Sequence, residues 1–195
     1  IQPTIGFIKI DKFSERTYET FMSSLEKLQK AGMKSLVLDL RGNGGGLLQE
    51  AVDIADEFLS DNKLIVYTEG ANSKRYDFVC KRPGLFETGK LTVLIDESSA
   101  SASEVLAGAL QDWDRATILG RRSFGKGLVQ EQFSLSDGSA IRLTVSRYFT
   151  PIGRSIQKPY SPGDKSGYRS EVSTRLTNGE LLHGDSAAHN GKKFK

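Results

Sequence analysis

The 195-residue chain has one cysteine, two histidines and no long apolar run. Because Cys80 is alone, an internal disulfide and a multi-cysteine zinc site are both excluded. No segment approaches the roughly 18 to 20 continuous apolar residues of a transmembrane helix, so we expect no stable membrane insertion of this segment. The 27 basic and 24 acidic residues are spread along the chain, with a net charge of +3. The composition therefore gives no electrostatic argument for nucleic acid as a partner.

Both histidines, His183 and His189, lie in a C-terminal stretch rich in Gly, Ser, Lys and Asp. Few large apolar side chains occur there, and we expect residues 152–195 to form an extended, partly ordered tail. Such a tail is a poor place for a buried general base. The sequence therefore argues against a Ser-His-Asp triad.

Apolar periodicity predicts repeated strand-turn-helix units. Ile5–Ile10 and Ser35–Leu40 are short apolar runs typical of buried strands, and the amphipathic spacing of Tyr18–Leu28 between them predicts a helix. A glycine loop and a second helix come next. Leu91–Ile95 then repeats the order, with a serine-rich turn and the predicted helix Glu104–Trp113. This order predicts an α/β fold in which helices cover a parallel sheet.

Two further pairs of strands are predicted to be antiparallel. Leu64–Thr68 and Tyr76–Cys80 flank a polar turn and would form a hairpin flap. Val129–Leu135 and Ala140–Phe149 flank Ser136–Ser139, whose Asp-Gly pair is a hairpin turn signal.

The serine-rich turn Ser98–Ser103 lies where a buried strand leads into a helix. A serine at such a turn is exposed above the sheet edge, and the helix N-terminus offers N–H groups to a developing oxyanion. The same serines also fit an ordinary helix cap, with Glu104 in the first turn. From location alone, the cap is the better supported interpretation.

Lysine replaces histidine as a general base only when its pKa is lowered, which requires burial in a mostly apolar site. Lys126 is the lysine best placed for this, because it lies between two glycines, near Phe124 and before an apolar strand. Gly120–Lys126 also has the spacing of a phosphate-binding loop. The hydroxyl residue that should follow the lysine is replaced by Gly127, and a strand is predicted where a helix should begin. Both features count against a nucleotide site.

Gln130 lies four residues after Lys126. On a strand, that even spacing places both side chains on one face. Gln130 would then orient the lysine amine, unless it is an ordinary exposed polar residue.

The glycine loop Gly42–Gly46 connects a strand to a helix, as do loops that bind pyrophosphate in dinucleotide folds. The required Gly-x-Gly-x-x-Gly spacing fails at Leu47. Consecutive glycines also bring bare N–H groups close to a reacting carbonyl, as an oxyanion hole requires. Close packing of helix against strand explains this loop equally well.

Four ordered sequence blocks resemble the carboxyl-terminal processing proteases, also called tail-specific proteases. The blocks are Asp39–Gly46, Asp96–Glu104, Ser123–Gln130 and Tyr148–Ile156. The resemblance implies that Ser101, the middle serine of its block, is a nucleophile and that Lys126, 25 positions later, is its base. It implies no metal and no organic cofactor.

The same resemblance implies further site residues. The oxyanion donors would be the amide of Ala102 and one amide of the Gly44-Gly45 stretch. Ser123 stands where threonine is usual and keeps the hydroxyl. The residues that would support the lysine or the site as a whole are Gln130, Glu104, Asp112 and Ser123.

The resemblance also implies the organisation of the chain. The fold would be a crotonase-like or ClpP-like α/β spiral, which agrees with the repeated strand-turn-helix units. Residues 1–151 would be the peptidase core and residues 152–195 the tail. The PDZ domain and the final β segment with a Gly-Ile-x-Pro-Asp motif, both usual in the family, are absent from this sequence.

The implied reaction is endoproteolysis near the C-terminus of a protein substrate, through an acyl-enzyme. The peptide would bind extended, as a strand added to a sheet edge. The resemblance implies a location in the cell envelope, periplasmic or membrane-associated, and leaves a homo-oligomer open. Two alternatives are a catalytically silent peptide-binding scaffold and an acyl-CoA-processing enzyme on a crotonase-like fold.

Overall fold

The computed structural model describes residues 4–159 and 165–181; His183 and His189 lie outside these ranges. No helix in these ranges is both long and apolar enough to cross a bilayer. In chain order the elements are β1 (Ile5–Lys9), α1 (Thr17–Lys30), β2 (Ser35–Asp39), α2 (Leu48–Asp56), β3 (Leu64–Gly70), β4 (Ser73–Val79), β5 (Lys90–Ile95), α3 (Ala102–Asp112), β6 (Thr117–Gly120), β7 (Leu128–Ser134), β8 (Ala140–Phe149) and α4 (Lys165–Thr177).

The first sheet has the order β1-β2-β5-β6, and all its neighbouring strands are parallel. This confirms the mixed α/β architecture and the parallel sheet predicted from the sequence. Leu36, Leu38 and Val93 are almost completely buried in its centre, as apolar strands covered by helices require. Asp39 pairs with Leu94, so β2 and β5 end side by side. The loops that follow them therefore begin at the same edge of the sheet.

The helices bury the apolar faces that the periodicity predicts. In α1 the buried residues Phe21 and Leu25 are one helical turn apart. In α3 nearly every position up to Leu110 is buried, because this helix packs against α2 and also contacts β3 of the second sheet. The helix that follows the serine turn is thus held firmly in the core.

The second sheet has the order β4-β3-β8-β7 and is antiparallel. β3 and β8 pair only where Tyr67–Glu69 meets Arg147–Phe149, so most of the β7–β8 ribbon extends beyond its neighbours. One face of the ribbon carries Phe133, Ile141 and Leu143, and all three are exposed.

The tail differs from the expected extended conformation, because residues 165–177 form the helix α4. The physical reason lies outside the tail itself. Arg175, in the last turn of α4, is almost fully buried and donates hydrogen bonds to the carbonyls of Arg122 and Ser123. Local composition cannot reveal such contacts with a segment some 50 residues away.

Candidate active site

Ser101 occupies a strained turn between β5 and α3. Its φ of 57° and ψ of −114° are unusual for a residue with a side chain and cost on the order of 1–3 kcal/mol. A serine on such a strand-to-helix turn presents its hydroxyl at the top of the sheet. Ser101 is accordingly partly exposed.

The neighbouring serines have structural roles. Ser99 and Ser103 are fully buried. The Ser99 hydroxyl donates to the Leu40 carbonyl at 2.8 Å, and the Ser103 hydroxyl donates to the Asn43 carbonyl at 3.0 Å. These two bonds hold the serine turn against the glycine loop. Of these three serines, the middle one alone is presented to solvent.

The glycine loop is locked beside Ser101. Asn43 is fully buried; its Nδ2 donates to the Ile10 carbonyl at 2.8 Å, and its Oδ1 accepts the Gly45 amide at 2.9 Å. Gly45 has a φ of 95°, and a Cβ added there would lie 2.6 Å from the Ala100 oxygen and 2.8 Å from the Ser101 Cβ. Glycine is therefore required where this loop approaches the serine turn.

Two amides at this edge are available to an incoming oxygen. Within the described part of the chain, the amides of Ala102 and Gly44 have no hydrogen-bond acceptor. Gly44 is exposed, and the space around its Cα is open. Since the Gly45 amide is already bonded to Asn43, Gly44 is the better candidate of the two glycines.

Glu104 connects the serine turn to the loop between β6 and β7, residues 121–127, which carries Lys126 and is called the lysine loop below. This side chain is buried, and its two oxygens accept four hydrogen bonds. Oε1 accepts the Ser123 hydroxyl at 2.7 Å and the Gly125 amide at 2.6 Å. Oε2 accepts the Ser101 amide at 2.9 Å and the Lys126 amide at 2.8 Å. One carboxylate thus fixes the backbone of both candidate catalytic residues.

The side chain of Lys126 does not have the buried position expected from the sequence. Lys126 is exposed, while Gly127 next to it is buried. The loop attaches to the core through its backbone amides, and this leaves the lysine side chain on the outer surface. Among the described residues, no hydrogen bond joins Ser101 Oγ to Lys126 Nζ.

The even-spacing argument for Gln130 is also wrong. β7 begins at Leu128, so Lys126 precedes the strand. The alternation of faces along β7 therefore does not extend back to Lys126. Gln130 is exposed and, in the part of the chain that the structure describes, makes no hydrogen bond to Lys126.

Asp112 is the last residue of α3, away from the serine turn, and its side chain is buried. It forms an ion pair with Arg154 and accepts the Ile152 amide at 3.2 Å. The segment it anchors continues to Gln157, whose Oε1 accepts the Gly127 amide at 3.0 Å. Asp112 therefore contacts the lysine loop only indirectly.

Two acids of the site, Asp39 and Asp96, have no role predicted from the sequence. Asp39 is buried and paired with Arg41, whose guanidinium holds the pKa of this carboxyl below its usual range. Asp96 accepts the Gly42 amide at 3.0 Å and the amides of Ser98 and Ser99. Their position at the ends of buried strands, Asp39 as the last residue of β2 and Asp96 directly after β5, is the signal that identifies them as loop anchors.

The described ranges contain no group of three or more His, Cys, Asp or Glu side chains that would hold a metal ion. Burial, followed by the nearby Asp56 carboxylate, raises the pKa of Cys80 to about 12. The thiol therefore stays protonated and unreactive.

A strained serine beside open amides, on an α/β sheet, is the arrangement of a hydrolase with a serine nucleophile. The chain belongs to peptidase family S41, whose family model matches residues 4–164.

Named relatives agree with this assignment. The carboxyl-terminal-processing protease of Synechocystis sp. is 42% identical over 155 residues, covering 80% of this chain and 36% of the relative. The carboxy-terminal processing protease CtpB of Bacillus subtilis is 38% identical, covering 80% of this chain and 32% of the relative. The solved structure of a photosystem II D1 C-terminal processing protease superposes with a TM-score of 0.74 at 39% identity, covering 78% of this chain and 39% of that structure. The chain thus spans less than two fifths of each of these proteins.

Gly45→Ala is expected to slow the reaction of the Ser101 hydroxyl with a fluorophosphonate by about 10²-fold, because the new methyl group would displace Ser101 by a fraction of an ångström. The rate of labelling by a fluorophosphonate, corrected for the folded fraction, measures this. Gly32→Ala is the matched control, since Gly32 has a similar φ of 87° but open space around it. Equal labelling rates in the two variants would contradict the prediction.

Proposed function

We propose that this chain is the catalytic portion of a serine endopeptidase that cleaves protein substrates near their C-termini. Ser101 is the nucleophile and Lys126 is the general base. The observation that carries the proposal is that a single oxygen, Glu104 Oε2, accepts both the Ser101 amide and the Lys126 amide. Two loops that are 25 residues apart in sequence are thereby held at one point.

In the proposed reaction, neutral Lys126 Nζ takes the proton from Ser101 Oγ as Oγ attacks the scissile carbonyl carbon. The amides of Ala102 and Gly44 donate to the resulting oxyanion. The C–N bond then breaks, the protonated lysine returns its proton to the leaving amine, and an ester to Ser101 remains. Water, deprotonated by Lys126, hydrolyses this ester.

The exposed position of Lys126 gives the substrate a further role in this proposal. An extended polypeptide lying over Ser101 would remove water from the lysine amine and favour its neutral form. Catalytic hydrogen bonds often tighten only in the complex, so the open geometry is compatible with this sequence of events. Gln130, near the start of β7, would orient the amine in that closed state.

The remaining assignments are supporting ones. Ser123 and Glu104 hold the lysine loop, and Asp112 holds the segment behind it. The fold is proposed to be a crotonase-like or ClpP-like spiral, with the β3–β4 hairpin as a flap. Residues 1–151 would be the peptidase core. A PDZ domain and a final β segment are proposed for the full-length protein.

The proposed substrates are the C-termini of proteins, bound in extended form. Support comes from the relatives, which are named for carboxyl-terminal processing in cyanobacteria and Bacillus subtilis. From the resemblance of the four sequence blocks to the family we propose a location in the cell envelope, periplasmic or membrane-associated. Self-association into a homo-oligomer belongs to the same proposal.

A catalytically silent peptide-binding scaffold is the alternative that a specific observation favours. The missing hydrogen bond between Ser101 and Lys126 and the exposed lysine fit a fold retained without turnover. An acyl-CoA-processing enzyme is the second alternative.

Treating the full-length protein with an alkyl fluorophosphonate tests the proposal. Ser101 Oγ forms a bond to phosphorus, fluoride leaves and the base takes the hydroxyl proton. Mass spectrometry of the digested protein should locate the adduct on Ser101, and an unfolded protein with a free C-terminus should be cleaved. A folded protein without adduct or cleavage would support the scaffold, and specific retention on immobilised CoA would support the acyl-CoA enzyme.

A further inference from the structure

The helix α4 lies beyond the residues that match the family model, which end at 164. It nevertheless contacts the loop that carries Lys126. Glu171 of α4 pairs with Arg122 at 3.3 Å and also with Lys158. Glu180, just after the helix, accepts two hydrogen bonds from Arg122, at 2.9 and 3.1 Å. The segment 171–180 is therefore attached to the start of the lysine loop.

Arg175 is the central residue of this attachment. It is 2% exposed, which is rare for arginine and requires that its donors be satisfied. Its Nη2 donates to the Arg122 carbonyl at 2.5 Å and its Nη1 to the Ser123 carbonyl at 3.4 Å, while Nε donates to Glu180 at 2.8 Å. The planar guanidinium thus binds two successive carbonyls of the loop and one carboxylate at once.

The lysine loop is held from three sides. Glu104 binds the amides of Gly125 and Lys126 from the core side. The segment after Thr150 provides a second contact, because the Lys158 amide donates to the Gly125 carbonyl at 3.0 Å. Arg175 binds the carbonyls of the two residues that precede Phe124. Removing Arg175 leaves the carbonyls of Arg122 and Ser123 without this buried donor.

We propose that Arg175 is a positioning residue for the general base, and that α4 is a strap that sets the place of Lys126 relative to Ser101. Arg175 acts through the backbone of Arg122 and Ser123 and does not touch substrate. The inference rests on the proposed function of Ser101 and Lys126. Loss of the strap should slow acylation while leaving substrate binding nearly unchanged.

The test compares Arg175→Ala, Arg175→Lys and Thr177→Ala in the full-length protein. Thr177 is in the same turn of α4, is exposed, and bonds only within the helix, so it is the matched control. For Arg175→Ala we expect kcat, and the rate of Ser101 phosphonylation per folded molecule, to fall by about 10- to 100-fold with little change in KM. Arg175→Lys should recover part of the rate, since ammonium keeps the charge but loses the fork of donors.

Hydrogen exchange gives a readout that does not depend on catalysis. The amides of Gly125 and Lys126 should exchange at least about tenfold faster in Arg175→Ala than in the wild type. Unchanged exchange and labelling in a folded Arg175→Ala protein would overturn the inference. It would also be overturned if the loss of labelling were no larger than the fraction of molecules that are unfolded. If even the wild type is not labelled, the proposed peptidase function fails, and the exchange result alone decides whether Arg175 positions the loop.

Discussion

Replacing Lys126 with alanine is expected to slow phosphonylation of Ser101 and peptide cleavage by about 10⁴-fold, the upper end of what a general base contributes. The described residues include no histidine, and the buried acid beside Ser101, Glu104, is not free to act as a base. Glu104 is engaged by four donors, and its Oε2 is bonded to the Ser101 amide. Because the Lys126 side chain is exposed, its loss should leave the unfolding free energy within about 0.5 kcal/mol of the wild type.

Two companion variants make this expectation specific. Lys126→Arg keeps the positive charge but cannot act as a base, because guanidinium does not lose its proton in proteins. It should therefore be as inactive as Lys126→Ala. Lys90→Ala removes an exposed lysine at the start of β5, the strand that leads to Ser101, and should label at the wild-type rate. Near-normal labelling of folded Lys126→Ala would reject lysine as the base.

Strong apolar patterns made most of the fold predictable from the sequence. The strand β2 was predicted at Ser35–Leu40 and is found at Ser35–Asp39, because alternate burial of Leu36 and Leu38 leaves little choice of conformation. The parallel arrangement followed from helices separating successive strands. The helix α4 was not predictable in this way, since its contacts are ion pairs and carbonyl bonds to a distant loop.

The details of the site depend on geometry that residue spacing does not contain. The flanking glycines and Phe124 predict burial of the Lys126 side chain. In the structure the loop is anchored by its backbone amides, and the lysine side chain is exposed. The shared face of Lys126 and Gln130 requires one strand through both residues, whereas β7 begins at Leu128. Likewise, residue spacing cannot tell whether Gly44 or Gly45 donates to an oxyanion. The structure distinguishes them, because the Gly45 amide already donates to Asn43.

Glu104 shows how a residue that fits a helix-capping pattern serves a second purpose. In sequence it follows Ser101 by three positions, the spacing of a capping box, and its bond to the Ser101 amide has that form. A carboxylate that only caps the helix needs no partner besides the Ser101 amide. Glu104 accepts three more donors, all from the loop of Ser123–Lys126. The cap and the catalytic interpretations of the serine turn are therefore compatible.

Glu104→Gln is expected to lower the labelling rate of Ser101 by about 10³-fold, because in either orientation the carboxamide NH₂ group faces a backbone amide of the lysine loop and displaces this loop from Ser101. A carboxamide keeps one acceptor oxygen but turns its NH₂ group toward two of the four donors. In one orientation the amides of Ser101 and Lys126 lose their acceptor. In the other the Gly125 amide loses its acceptor, while the Ser123 hydroxyl rotates to accept from the NH₂ group. The unfolding free energy should fall by about 2–4 kcal/mol, measured by denaturant titration.

The matched control for Glu104→Gln is Glu97→Gln. Glu97 begins the same turn, but its carboxylate pairs with Arg121 near the surface, at 2.6 Å, and this pair lowers its pKa. Losing a surface pair costs about 0–1 kcal/mol, and Glu97 contacts neither Ser101 nor Lys126, so labelling should be unchanged. If folded Glu104→Gln were labelled as fast as Glu97→Gln, the carboxylate would not be what brings nucleophile and base together.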